Sequence, residues 1–254
     1  MGRVDVHDDG IELDSPTLID GLPGVGLVGK IATDHLVEAF EMDHYASVYC
    51  DGLPPVGVYH EGSSAVRAPV RLYADPDRDL LALQSDVPVS TEAAGDFAGC
   101  VVGWLAENDV RPVFLSGRPA QREEEAVLAE NDETPTVYGV TTGDSTALDG
   151  LDVEPPTENG AVSGPTGALL HHATREGLPG VGLIVESDPN FPDPGAARAL
   201  LEAGIEPITG VDVGVDVLAD RAAGIRKQKQ QLAQQMQQAG VEESSQAKPL
   251  RMYQ

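Results

Sequence analysis

The sequence predicts an α/β fold: a mixed, partly parallel sheet flanked by helices, followed by a long C-terminal helix and a flexible tail. Three observations lead there. Apolar, β-branched runs alternate with segments of helical periodicity along the chain, the pattern of a sheet covered by helices. A glycine-rich turn, "GLPGVGLVGK" from Gly21 to Lys30, joins the first strong strand to the first helix. A hairpin-like block over residues 56–85, with turn signals at Gly62-Ser63 and Asp75-Pro76, makes part of the sheet antiparallel.

The elements follow in order. Residues 16–20 read as a strand leading into the glycine turn. From Leu27 the apolar residues Leu27, Val28, Ile31, Ala32, Leu36, Ala39 and Phe40 recur at helical spacing. Residues 45–50, 56–60, 65–72 and 80–85 read as strands. Thr91 is the expected cap of a helix running to about Asn108. Residues 111–116 and 136–141 read as strands, and 143–164 as a turn-rich connection. Helices are expected over 165–176 and over 195–203, the latter stopping at Gly204, with a strand at 180–186 between them. A long helix is expected over 213–239. Its Leu218, Ala222, Ile225, Leu232, Met236 and Ala239 form a heptad-like seam. Packing on its own domain and pairing with another subunit both satisfy that seam. One domain, residues 1–240, and a tail, residues 241–254, account for the chain.

Composition excludes several function classes. The chain has 254 residues, is 41% hydrophobic and carries a formal net charge of -26. Its lysines are Lys30, Lys227, Lys229 and Lys248. Such a surface repels itself unless salt screens it, and the Debye length falls to about 3 Å at 1 M. The acidity therefore points to a salt-loving archaeal host with a salt-rich cytoplasm. It argues against nucleic-acid binding, which needs a basic face. No apolar run approaches the roughly 20 residues of a membrane span, and the polar N-terminus is no signal peptide, so a cytoplasmic protein is expected. Cys50 and Cys100 sit in apolar settings and are expected to be reduced and buried.

The glycine turn also invites a nucleotide reading. Gly24 to Lys30 matches G-x-x-x-x-G-K, whose backbone amides cradle phosphate and whose next residue holds Mg²⁺ by a hydroxyl. Here that next residue is Ile31, which cannot. Gly24, Gly26, Gly29 and Lys30 are therefore read as a structural turn, with an anion site as the weaker alternative. A near copy, "GLPGVGLIVE" from Gly177 to Glu186, runs into a strand and not a helix. Asp75, Asp77 and Asp79 have the spacing that opens a calcium loop, but Leu80 and Val87 occupy the places that need Gly and Glu. His171 and His172 lack the four-residue spacing of a helical zinc site. No catalytic set, metal or cofactor is expected.

The segments "LIDGLPGVGLVGKIATDHLVEAF", "DGLPPVGVYHEG" and "SGPTGALLHHATREGLPGVGLIVES" resemble the archaeal proteasome assembly chaperone family, homologues of eukaryotic proteasome assembly chaperone two. The resemblance spans about residues 14–219. It implies a core shaped like the nucleoside phosphorylases without their catalytic residues, a homo-oligomer, and binding to the α-subunit ring of the proteasome core particle. Members can end in hydrophobic-tyrosine-any residue, and this chain ends Met252-Tyr253-Gln254. By that resemblance Tyr253 is the anchor, Met252 its apolar neighbour, and Gln254 supplies the chain-terminal carboxylate in a pocket between α subunits. A flexible tail over residues 241–254 has an r.m.s. span of roughly 20 Å. The competing expectation is an enzyme that binds nucleosides or nucleotides at Gly24–Lys30.

Overall fold

Strands Thr17–Gly21 and Leu80–Ser85 are buried at every residue, and such strands belong in the middle of a sheet. The computed structural model describes residues 2–7, 10–119, 134–143 and 146–225. Its strands are β1 (Arg3–Val6), β2 (Thr17–Gly21), β3 (Asp43–Tyr49), β4 (Val70–Asp75), β5 (Leu80–Ser85), β6 (Arg111–Pro119), β7 (Val137–Thr142) and β8 (Gly180–Ser187). They form one sheet in the order β1-β3-β4-β5-β2-β6-β8-β7. The pairs β5–β2, β2–β6 and β6–β8 are parallel; the flanking pairs are antiparallel. The mixed sheet matches the expectation.

Helices α1 (Val28–Ala39), α2 (Ala94–Glu107), α3 (Gly164–Glu176), α4 (Pro194–Leu200) and α5 (Glu206–Thr209) cover both faces, and residues 216–225 begin a sixth, α6. Alternation along the strands divides the core in two. Ile19, Leu80, Ala82 and Leu183 point toward α1 and α4. Leu18, Leu81, Leu83 and Phe114 point toward α2 and α3. Leu218 of α6 is buried in the core on the α1 side, so the start of the heptad-like seam packs on its own domain. The rest of that seam, from Leu232 on, lies outside the described residues.

Several expectations are corrected. Residues 56–60 and 65–72 are not full strands of the sheet. Val58 and Arg67 form an isolated antiparallel bridge in a ribbon, and β4 begins only at Val70. Pro69 has no N–H to donate, which delays the strand. The helix after Ser90 starts at Ala94, and the Ser90 hydroxyl, not Thr91, accepts from the Ala93 amide at 3.2 Å. Gly204 ends nothing: α4 passes through a π-type turn, Leu201–Ile205, into α5, which stops at Gly210 with φ 74°. Gly204 serves close packing instead, since a Cβ there would lie 2.3 Å from Leu183. The N-terminal stretch, read as plain polar chain, supplies edge strand β1 against β3.

The cysteines are also corrected. Cys50 follows β3 and Cys100 lies on α2, with Cα atoms 6.3 Å apart, and they form a disulfide. That separation is ordinary for a disulfide. Folding creates it across 50 residues, so local sequence context carries no trace of it. The bond ties the sheet to α2, and Gly2 crosses it so closely that a Cβ there would meet Cys100 Sγ at 2.7 Å.

A cross-link closing a loop of that size stabilises by about 2–4 kcal/mol through the unfolded chain. The double variant Cys50→Ala/Cys100→Ala is therefore expected to unfold at lower urea with a stability loss of that order. Equal midpoints for the variant and the oxidised wild type would show that the bond contributes nothing.

Candidate functional site

The first candidate is the turn after β2. Asp20, at the end of that strand, is buried. Its Oδ1 accepts from the Leu22 amide at 3.0 Å and its Oδ2 from the Thr166 hydroxyl of α3 at 2.9 Å. Burial pushes the Asp20 carboxyl up to about 7, against the pull of those two donors. One side chain thus pins the β2 exit to the start of a helix 146 residues away in sequence. The signal was a lone Asp inside the apolar run "TLIDG", but its partner was invisible.

The glycines follow. Gly24 precedes a short 3-10 turn, Val25–Leu27, and has nothing within 4 Å of a would-be Cβ. Gly26 has φ 63°, and a Cβ on it would lie 1.8 Å from Ser187 Oγ at the end of β8. Its carbonyl accepts from the Asp193 amide at 2.8 Å. Asp193 in turn caps α4 by accepting from the Ala196 amide. Gly29 faces the Asp20 carbonyl and Leu115, at 3.1 and 3.3 Å from a would-be Cβ. Gly117 of β6 passes under the Val25 carbonyl, where a Cβ would stand 2.3 Å away.

The turn is therefore surrounded by β6, β8 and the approach to α4. Lys30 does not converge on it. Its Nζ bonds Asp34 one helical turn along α1, at 3.0 Å. In the second glycine copy, Gly177 with φ 68° ends α3 and the chain turns directly into β8. Asp75 is engaged at home, accepting from the Asp77 amide and the Arg78 guanidinium in the β4–β5 hairpin. His172 packs α3 against α2 at Gly99. Among the described residues no group of three or more His, Cys, Asp or Glu side chains is placed to hold a metal ion. Met252, Tyr253 and Gln254 lie outside the described residues.

Comparison with known proteins gives one consistent answer. The sequence profile of the PAC2 family matches residues 18–233. An uncharacterised protein of Methanocaldococcus jannaschii is 27% identical over 219 residues, covering 85% of this chain and 82% of the relative. Among solved structures, Pyrococcus furiosus PbaA, described as an archaeal homolog of proteasome-assembly chaperone, superposes with a TM-score of 0.74 at 26% identity, covering 94% of this chain and 99% of PbaA. Pyrococcus furiosus PbaB, described as an archaeal proteasome activator, superposes with a TM-score of 0.74 at 23% identity, covering 91% and 98%, and shares the fold.

Two outcomes follow from the turn. Gly26→Ala meets both a left-handed backbone and the Ser187 hydroxyl, and a loss of about 2–4 kcal/mol is expected in urea unfolding; Gly24→Ala, with open space, should stay within about 0.5 kcal/mol. Similar losses at both positions would contradict the packing described. Asp20 sets a pH dependence. Between its ordinary value of 3.8 and about 7, the folded chain keeps a proton that the unfolded chain has released. Stability from this group therefore falls as pH rises through that window, by at most about 1.4 kcal/mol per unit. Asp20→Asn should remove that slope, so the variant's stability minus the wild type's rises toward neutral pH; a difference independent of pH would refute it.

Proposed function

The chain belongs to the PAC2 family, and from that premise we propose that it is a non-enzymatic proteasome assembly chaperone or ATP-independent activator. Its partner in this reading is the α ring of the proteasome core particle, engaged by the C-terminal Met252-Tyr253-Gln254. The observation that carries the proposal is the end-to-end likeness to PbaA, which covers nearly all of both chains. In this reading Tyr253 is the aromatic anchor and Met252 its apolar neighbour.

The chemistry of the body supports a carrier more than a catalyst. The glycine turn meets protein on most sides, and Lys30 is engaged with Asp34. A tail contact orders few residues and buries little area, so one alone is weak. Several tails from one homo-oligomer gain by effective concentration. Lys248 and Arg251 place positive charge close to the tripeptide in a chain whose net charge is -26.

Deleting Met252, Tyr253 and Gln254 is expected to weaken binding to purified core particle more than about tenfold, a loss of about 1.4 kcal/mol or more. Binding in concentrated KCl, followed by sedimentation, measures it. Undiminished binding by the truncated chain would refute docking through the tail. Absence of binding by the intact chain would refute the proteasome as partner.

A further inference from the structure

A second feature lies along α1, beside Lys30, Asp34 and Glu38. The chain leaves β2 for α1 on one side of the sheet and leaves β5 for α2 on the other. These strands are parallel neighbours. In open α/β sheets, ligands bind outside the C-terminal ends of strands where the chain parts in this way. A cleft of about 320 Å³ lies on the α1 side of this point, between α1, β4, the end of β5 and the Val58–Arg67 ribbon. That volume is in the range of small-molecule sites, at its lower end.

The cleft is lined by charged side chains, of which Arg71 is buried and Lys30, Asp34, His60 and Asp86 are partly exposed. Arg71 of β4 has a side chain only 1% exposed. Its guanidinium donates to the Ala68 carbonyl at 2.7 Å, to the Tyr73 hydroxyl at 3.1 Å and to Asp86. Opposite, Lys30 and Gln84 both donate to Asp34 Oδ1, at 3.0 and 2.9 Å. His60 leans in from the ribbon. Its Nε2 is shielded from solvent, lies 3.9 Å from Asp86 Oδ2, and has no hydrogen-bond partner. An orphaned buried nitrogen costs about 1–3 kcal/mol and calls for a partner.

The charges select the partner's class. Lys30 stands beside Asp34 and Arg71 beside Asp86, with Glu38 a third acid on the rim. A phosphate dianion would enter beside three carboxylates. A lone cation would meet an ammonium and a guanidinium. A ligand carrying both signs finds an opposite charge for each. Tyr73 and Val37 offer a small apolar wall for its carbon atoms.

We propose that this cleft binds a small α-amino zwitterion, a free amino acid or a very short peptide. Its carboxylate faces Lys30, Arg71 and the His60 nitrogen, and its ammonium faces Asp34 and Asp86. The site stands apart from the proposed tail docking, and either can fail without the other.

The probes are alanine, dialanine, N-acetyl-alanine methylamide and inorganic phosphate, each titrated into the full chain in concentrated KCl and followed by amide chemical shifts. Saturable shifts at Lys30, Gln84 and Asp86 are expected with alanine or dialanine, and their relative affinities distinguish amino acid from peptide. The blocked compound, which lacks both charges, and phosphate should leave those amides unmoved. His60→Ala and Lys30→Met alter partly exposed side chains and should each weaken binding at least tenfold while the remaining spectrum is retained. No saturable shift with either zwitterion, wild-type affinity in both variants, or binding of phosphate or the blocked compound in their place would each overturn the proposal.

Discussion

Gly26 sits with φ 63° against the Ser187 hydroxyl, and its carbonyl holds the Asp193 amide. The rest of the fold is arranged around this junction. A side chain at Gly26 would push β8 away from the β2 exit, and one at Gly117 would strike the Val25 carbonyl. With both absent, three strand ends and the approach to α4 close on one turn. Asp20 completes the lock by reaching Thr166 on the opposite face. The consequence is directional. α1 is set down on one face of the sheet and α2 on the other, while β2 and β5 stay paired to their ends, Gly21 beside Gln84. Within "GLPGVGLVGK", Gly26 and Gly29 stand where a Cβ would crowd neighbouring atoms, whereas Gly24 has open space.

Charge is handled differently inside and outside. Among the described residues the buried acids are Asp20 and Asp75, and the other acidic side chains reach solvent, where added salt screens charge. The buried charges are few and specific. Arg71 is held by a carboxylate, a carbonyl and a phenol, as a desolvated guanidinium requires. Asp20 is held by two donors, and burial still dominates its titration. The Cys50–Cys100 bond adds a covalent tie between β3 and α2 at the edge of the sheet, where β1 alone covers β3.

Much of this architecture was legible. Runs such as "TLIDG" and "LLALQS" are apolar enough to announce central strands, and "VGKIATDHLVEA" has the stripe of a one-sided helix. Errors arose where local pattern and tertiary context disagree. Val56 to His60 looks like a strand, but Pro54 and Pro55 precede it and its side chains find no core; Tyr59 is 81% exposed. Gly204 looks like a helix stop, yet Leu183 needs the space where its Cβ would be. The short strand β1 was missed because half-buried residues such as Val4 and Asp5 carry no period longer than the strand itself. The disulfide, the Asp20–Thr166 bond and the Arg71–Asp86 cleft join residues far apart or on separate elements, and one sequence holds no sign of such pairings. The family-like segments were readable because they are contiguous.

The functional account divides labour between a rigid, glycine-locked body and a short C-terminal recognition element. Its most direct test is competition by the tail alone. A synthetic peptide of residues 241–254, in excess, is added to core particle already carrying the intact chain, and the bound fraction is measured by fluorescence anisotropy of a label on the body. The account predicts displacement that a peptide with Tyr253→Ala does not produce. Persistence of the bound fraction at every peptide concentration would contradict it, placing the contact on the folded body.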